Sequence, residues 1–394
     1  MGFSQALSGL RAAAVNLDVI SNNIANSQIV GFKSSRAQFS DIFANAQVGL
    51  GTRIAAVLQD FSDGNLETTN RSMDLAITGK GMFRFEQAGQ VQYSRNGQLS
   101  MDKNGYVVNV QGARLTGYPA GVDVGGQPEV LRVPAQGLAA SATTQIRSTF
   151  NLDASTPILD PATVTFDPTD ASTYSYTNSI TLYDSLGNPQ QAQVYFSKVG
   201  TNEWQVRLGR NGEVAPEVGT AEFNGNGVMI NTTSLDAFTF SPGEGADDMS
   251  LALDLNNTTQ FSNAFELTNV SQNGFPSGTL MQIQVNDAGE IVGTYSNEQQ
   301  RVLGTIALAN FQSLEGLQPV GDNAFIETTK SGEPIISVPG IGQFGSIMSG
   351  AVEASNVDLT QELVAMIIAQ RNYQANAQSI KSQDEALQTT MNLR

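Results

Sequence analysis

Two apolar stripes with the same 4-3 spacing stand at opposite ends of the chain, and they restrict what the middle can be. Phe3, Leu7, Leu10, Ala14, Leu17 and Ile24 form the first, with Ser21 as its one polar interruption. This is the a/d spacing of a coiled-coil seam, and it predicts a helix over 3–26 that Asn26-Ser27 and Gly31 can end. The second runs through Leu359, Leu363, Met366, Gln370, Tyr373, Ala377, Ile380, Asp384, Leu387 and Met391. It predicts a helix over 357–392, with Asn356 or Asp358 as N-cap and Glu362 placed where the helix dipole favours an acid. Helices that pair from the two ends of one chain make everything between them an insertion.

The insertion reads as β. Apolar alternation appears at Trp204, Val206 and Leu208, at Leu251, Leu253 and Leu255, and at Met281, Ile283 and Val285. Ile180 and Leu182, then Ala192, Val194 and Phe196, flank the turn-rich Asp184-Ser-Leu-Gly-Asn-Pro189, a hairpin candidate. The predicted fold class is mainly β with terminal α-helices. It is a nested multi-domain chain in which the N- and C-terminal helices pair as a coiled coil and two β-rich domains are inserted between them. The expected division is 1–35 with 355–394 for the helical domain and 36–70 for an extended connector. An inner β domain takes 71–144 with 267–354, and an outer β domain takes 145–266. Residues 120–145, rich in Gly, Pro and Ala, read as the linker outward.

Charge follows the same division. The chain carries a net −17, of which residues 141–270 contribute −11 and residues 1–140 only +1. The acidic segment suits a solvated outer surface. No basic stripe exists, so nucleic-acid binding is not expected. With no Cys and no His among 394 residues, disulfides, thiol nucleophiles, structural zinc sites and Ser-His-Asp triads are excluded. Acidic pairs such as Asp167 with Asp170, or Asp247 with Asp248, read as solvated loops rather than a glycosidase pair. Asp184-Ser-Leu-Gly-Asn188 lacks the ligand spacing of a calcium loop and reads as a tight turn. No catalytic, cofactor or metal site is expected. No run of about 18 apolar residues is present, so no membrane-spanning helix is expected. A cleaved secretory signal is not expected either, because no continuous apolar segment follows Arg11.

The stripes admit two readings. An antiparallel helix pair can close one ordinary domain, or the stripes can be seams of a polymer. Val364, Ile367, Ile368 and Ala369 lie off the C-terminal seam, and such a helix requires neighbours on more than one side. Burial of a large apolar side chain contributes about 1.5–3 kcal/mol, so assembly could draw on many such terms. The candidate assembly residues are Phe3, Leu7, Leu10, Leu17, Ile24, Leu359, Leu363, Met366, Tyr373, Ile380 and Leu387.

Several long strings carry a resemblance. Ser4-Gln-Ala-Leu-Ser-Gly-Leu10, Asn16 through Asn26 and Gly31-Phe-Lys33 resemble the bacterial flagellar rod and hook family. So do Gly350-Ala-Val-Glu-Ala-Ser-Asn-Val-Asp-Leu359, Glu362-Leu363 and Ala369-Gln-Arg-Asn-Tyr-Gln-Ala-Asn376. Met73-Asp-Leu-Ala-Ile77, Gly81-Met-Phe83, Tyr93-Ser-Arg-Asn-Gly97 and Gly117-Tyr-Pro119 are similar to its first β domain. Thr181 through Asn188, Gly293-Thr-Tyr-Ser-Asn297 and Leu303 through Phe311 resemble hook subunits within that family.

The resemblance implies a self-polymerising structural subunit of a curved tube that joins rod to filament and transmits torque. It implies export by the flagellar type III apparatus and contacts with the distal rod, hook cap and hook–filament junction proteins. The alternative is the distal rod subunit, a shorter chain without the insertion. An acidic secreted hydrolase or adhesin is the reading from another class.

Overall fold

The computed structural model describes residues 2–42, 49–122, 125–134, 136–210, 212–233, 235–236, 238–243 and 245–392, with nothing said of the side chains of 2, 390 and 392. It is mainly β with a helix at each end, in two compact units. The first comprises Met1–Ala135, Gln282–Thr294 and Gln300–Arg394; the second comprises Gln136–Met281 and Tyr295–Gln299. The sequence reading cut the outer insertion at 145 and 266. The contacts divide the chain further out because those two ends zip together. Strand Gln145–Asp153 runs antiparallel to Glu266–Gln272, with Ile146 opposite Gln272 and Asn151 opposite Glu266. Bridges Ser141–Phe275 and Leu138–Gly278 extend the pairing outward. Residues 123, 124 and 135 of the expected linker lie outside the described residues.

In the first unit, α1 spans Gly2–Ala25 and α2 spans Leu359–Asn392. Asp358 is the N-cap of α2: its Oδ1 accepts from the backbone N–H groups of Thr360 (2.9 Å) and Gln361 (3.1 Å), two of the donors a helix start leaves unpaired. Asn356, the other cap candidate, serves the backbone instead, accepting from the Ser34 N–H at 2.8 Å. At its far end α1 is closed by Asn26, which donates through Nδ2 to the Asn22 carbonyl at 2.8 Å. The helices run antiparallel, since Asn23 meets Glu362 and Gly9 meets Asn376.

The stretch expected as an extended connector holds a hairpin. Strands β1 (Ser35–Ile42) and β2 (Gly51–Gln59) pair antiparallel from Ser35–Gln59 to Ile42–Gly51. Isolated hairpins are marginal in water, and this one has α1 beside it. Thr52 donates from its backbone to the Ser8 Oγ at 3.2 Å. The inner sheet pairs Met82–Gln87 with Gln90–Ser94, Arg114–Pro119 and Leu308–Asn310 over a core containing Leu75, Ile77, Phe83, Phe85 and Leu115. Two short ladders return the chain's end to its beginning: Ser346–Ser349 on Leu75–Thr78, and Ala351–Glu353 on Leu66–Thr68.

The second unit packs a five-stranded sheet and a six-stranded sheet around Trp204, Phe150, Phe196 and Phe238. The alternations read at Trp204, Val206 and Leu208 and at Leu251, Leu253 and Leu255 are all buried. The hairpin around Asp184 forms, with Tyr176–Tyr183 on Pro189–Lys198. Met281 departs from its alternation: it is 73% exposed although Val285, on the same strand, is buried.

Candidate assembly interface

A straight helix turns 100° per residue, so stripes offset by one residue face different neighbours. On α1 three such faces can be read. The first lies against the hairpin, where Ser8 meets Thr52 and Ala12 is buried. The second lies against α2. Ala6, Ala13 and Ile20 are buried at sevenfold spacing, and Gly9 and Asn23 fall between and beyond them in the same 3-4 rhythm. Asn23 Nδ2 donates to Glu362 Oε1 at 3.0 Å on this face.

The third face is the stripe picked out by the sequence. Phe3 is exposed, and Leu7, Leu10, Leu17 and Ile24 are only half-buried. The helix pair therefore closes on a seam one residue away from that stripe. The physical reason is size. Ala6, Gly9 and Ala13 let two backbones approach closely, whereas leucines would hold them apart.

The long helix shows the same division. Met366 and Ile380 are half-buried and Ala369 is buried, on the side that carries Glu362 and Asn376. Leu359, Leu363, Tyr373 and Leu387 are exposed. Val364, Ile367 and Ile368 are each more than half exposed, on the side away from α1. Because Gly9 already lies opposite Asn376, the last turns of α2 run past the start of α1. Leu387 and Met391 there are 60% and 76% exposed. One chain thus leaves a half-covered apolar stripe on α1, an exposed apolar face on α2 and an exposed apolar tip.

The carboxylates show turn chemistry. Asp167 and Asp170 are held below the usual carboxylate range by hydrogen bonds to Thr169 and Ser172, their own turn partners. Asp247 and Asp248 are exposed. Asp184 is 1% exposed. Its Oδ1 accepts from the N–H groups of Leu186 and Asn188, and its Oδ2 from Asn188 Nδ2 and Gln190 Nε2. Burial pushes its pKa up, but these bonds outweigh burial and hold it below the usual range. Its oxygens are occupied by its own hairpin. Among the described residues no group of three or more acidic, His or Cys side chains could hold a metal, and no helix is long and apolar enough to cross a membrane.

Four family models match the chain in pieces, leaving 34–75 and 276–347 unmatched. Residues 4–33 match the flagella basal body rod protein model, and 76–154 match the flagellar hook protein FlgE/F/G D1 domain. Residues 151–275 match the flagellar basal body protein FlaE D2 domain, and 348–393 the flagellar basal body rod FlgEFG protein C-terminal model. The chain is 45% identical to the flagellar hook protein FlgE of Escherichia coli (strain K12), over 100% of both chains. It is 45% identical to that of Salmonella typhimurium, again over 100% of both. The Brucella suis hook protein is 32% identical over 98% of this chain and 97% of the relative. The crystal structure of Helicobacter pylori flagellar hook protein FlgE2 superposes with a TM-score of 0.54 at 13% identity, covering 73% of this chain and 100% of that one, a likeness of fold.

Proposed function

The chain belongs to the bacterial flagellar hook protein family and is a structural subunit of the hook, and we propose that its polymer is built on the uncovered faces of α1 and α2. The observation that carries this is the outer face of α2, where Leu363, Val364, Ile367 and Ile368 are between 46% and 54% exposed. About half of each is already covered, so each would contribute about 0.7–1.5 kcal/mol if fully buried by a second copy. The α1 stripe, Phe3, Leu7, Leu10, Leu17 and Ile24, is the second seam. Leu359, Met366, Tyr373, Ile380 and Leu387 complete the assembly set on α2. Contacts that do not close generate an open helical polymer.

The helices then line the tube, and the acidic second unit supplies weak, wet contacts that let the tube bend as it turns. The chain acts as a universal joint between rod and filament and has no enzymatic role. Its partners are further copies of itself, the distal rod protein, the hook cap protein and the hook–filament junction protein. It is exported by the flagellar type III apparatus without cleavage of a signal. Full-length similarity to hook proteins, with residues 151–275 matching the D2 model, favours this over a distal rod role.

The test is Ile367→Ser with Ile368→Ser in the full chain. The monomer should keep its melting temperature and far-UV spectrum, and electron microscopy should find no tubes under conditions where the parent chain forms them. Tubes of normal appearance from the variant would overturn the assignment of this face.

A further inference from the structure

Three strings singled out in the sequence have no part in the seams: Gly31-Phe-Lys33, Tyr93-Ser-Arg-Asn-Gly97 and the stretch 350–356. In the structure they meet. Glu353, which ends a short strand, is 1% exposed. Its Oε1 accepts from Lys33 Nζ at 2.6 Å and from the Gly64 N–H at 2.9 Å. Its Oε2 accepts from Arg95 Nη1 at 3.0 Å. Lys33 and Arg95 are themselves 2% and 5% exposed. Both cations have further acceptors. Lys33 Nζ also donates to the Ser62 carbonyl at 2.6 Å, and Arg95 Nη2 donates to the Gly79 carbonyl at 2.7 Å and to Asp63 at 3.3 Å.

The backbone is fitted to the same place. The Gly31 N–H donates to the Glu353 carbonyl at 2.7 Å. Gly31 has φ of +70°, and a Cβ there would fall 2.6 Å from the Asn96 nitrogen, so only glycine permits this approach. Asn356 stitches Ser34 to Asp60 through its two amide atoms.

The four charged groups come from four segments: the exit from α1, the connector before Leu66, the inner β sheet and the entry to α2. Lys33 follows the end of α1 by eight residues and Glu353 precedes α2 by six. Apolar packing could hold such a junction in several arrangements of similar energy. A buried carboxylate paired with two buried cations favours only one, because displacement leaves a charge buried without its partner.

We propose that the Lys33–Glu353–Arg95 cluster is a preformed coupling that fixes the direction in which the helix pair leaves the inner β sheet. It thereby sets the orientation in which the helices offer their uncovered faces to a second copy, and it carries load between sheet and helices. The orientation role rests on the assembly reading above; the coupling itself does not.

The experiment uses the full chain with Glu353→Gln and, separately, Arg95→Lys, which keeps a cation but gives up the forked guanidinium. Amide hydrogen exchange of the monomer and electron microscopy of polymers are the two readouts. In the Glu353→Gln chain the Gly31 and Gly64 amides should exchange roughly a hundredfold faster, while those of Phe83 and Phe85 stay protected. Polymers should lose uniform curvature. Arg95→Lys should move both readouts the same way by less, and it decides the matter if Glu353→Gln also unprotects the inner sheet. Parental exchange at Gly31 and Gly64 in both variants overturns the coupling. Faster exchange with parental curvature overturns its role in orientation. Failure of the parent chain itself to polymerise overturns the assembly reading and leaves the exchange result to judge the coupling alone.

Discussion

Gly9 of α1 faces Asn376 of α2 so closely that a Cβ at position 9 would lie 2.8 Å from the Asn376 Oδ1. That spacing makes the helix pair sensitive to size at this position. An alanine meets only the movable end of a side chain, and its better helix propensity, about 1 kcal/mol over glycine, offsets the adjustment. A leucine cannot be accommodated by rotating one amide. Gly9→Ala should therefore leave the far-UV spectrum and assembly near normal, whereas Gly9→Leu should separate the helices, lower helicity and block polymer formation. Circular dichroism and sedimentation check this, and a Gly9→Leu chain that polymerises normally would contradict the seam described here.

The same contact shows how far the sequence could be read. The existence of both helices was legible because leucines at 4-3 spacing are a strong periodic signal, and the alternating strands of the second unit were legible because a half-buried sheet demands them. Which face of α1 meets α2 was not. Ala6, Gly9 and Ala13 carry little hydrophobicity, yet small side chains are what allow two helices to approach. The hairpin at Ser35–Gln59 was missed because its strands are flanked rather than enclosed: Phe39, Ile54 and Val57 remain exposed, so no clean alternation marks them. The strings around Lys33, Arg95 and Glu353 stood out as family-like, but nothing in their spacing indicated that they converge on one buried carboxylate.

The tip of α2 offers a test in which folding and assembly part company. Leu387 and Met391 extend past α1 and are largely exposed, so the monomer has little to lose there. Leu387→Ser with Met391→Ser should change monomer stability by no more than about 0.5 kcal/mol, as is usual for surface positions. If the tip is buried between copies, each residue contributes about 1–2 kcal/mol to assembly, and the critical concentration should rise at least about tenfold. Light scattering against protein concentration measures it, and an unchanged critical concentration would place the tip outside the polymer contact.

The single tryptophan makes the second unit separately observable. Trp204 is fully buried, and its Nε1 donates to Gln260 Oε1 at 2.8 Å. Gln260 is in turn anchored by donating to Asn202 Oδ1 at 3.2 Å. Removing the acceptor leaves a buried indole N–H unpaired, which costs about 1–3 kcal/mol. Gln260→Ala should lower the urea midpoint followed by tryptophan emission. The amides of the inner β sheet should keep their exchange protection, since that sheet belongs to the other unit.

Asp184 gives the pH dependence of that same transition. Its folded pKa is depressed by the four hydrogen bonds of the hairpin, so the folded state holds the proton less readily than the unfolded chain, where an Asp titrates near about 3.9. The stabilisation is therefore fully present above the unfolded pKa and is lost as pH falls through the lower folded value. Asp184→Asn presents an amide where Asn188 Nδ2 and Gln190 Nε2 need an acceptor, and it should destabilise the second unit by about 2–3 kcal/mol at neutral pH. Asp153, Asp167 and Asp170 also titrate low, but they are shared by both chains and cancel in the difference. The gap in urea midpoint between parent and Asp184→Asn should stay constant from pH 7 to about pH 5 and shrink below about pH 4. A gap that persists undiminished to pH 3 would mean that the turn depends on the shape of the side chain and not on its charge.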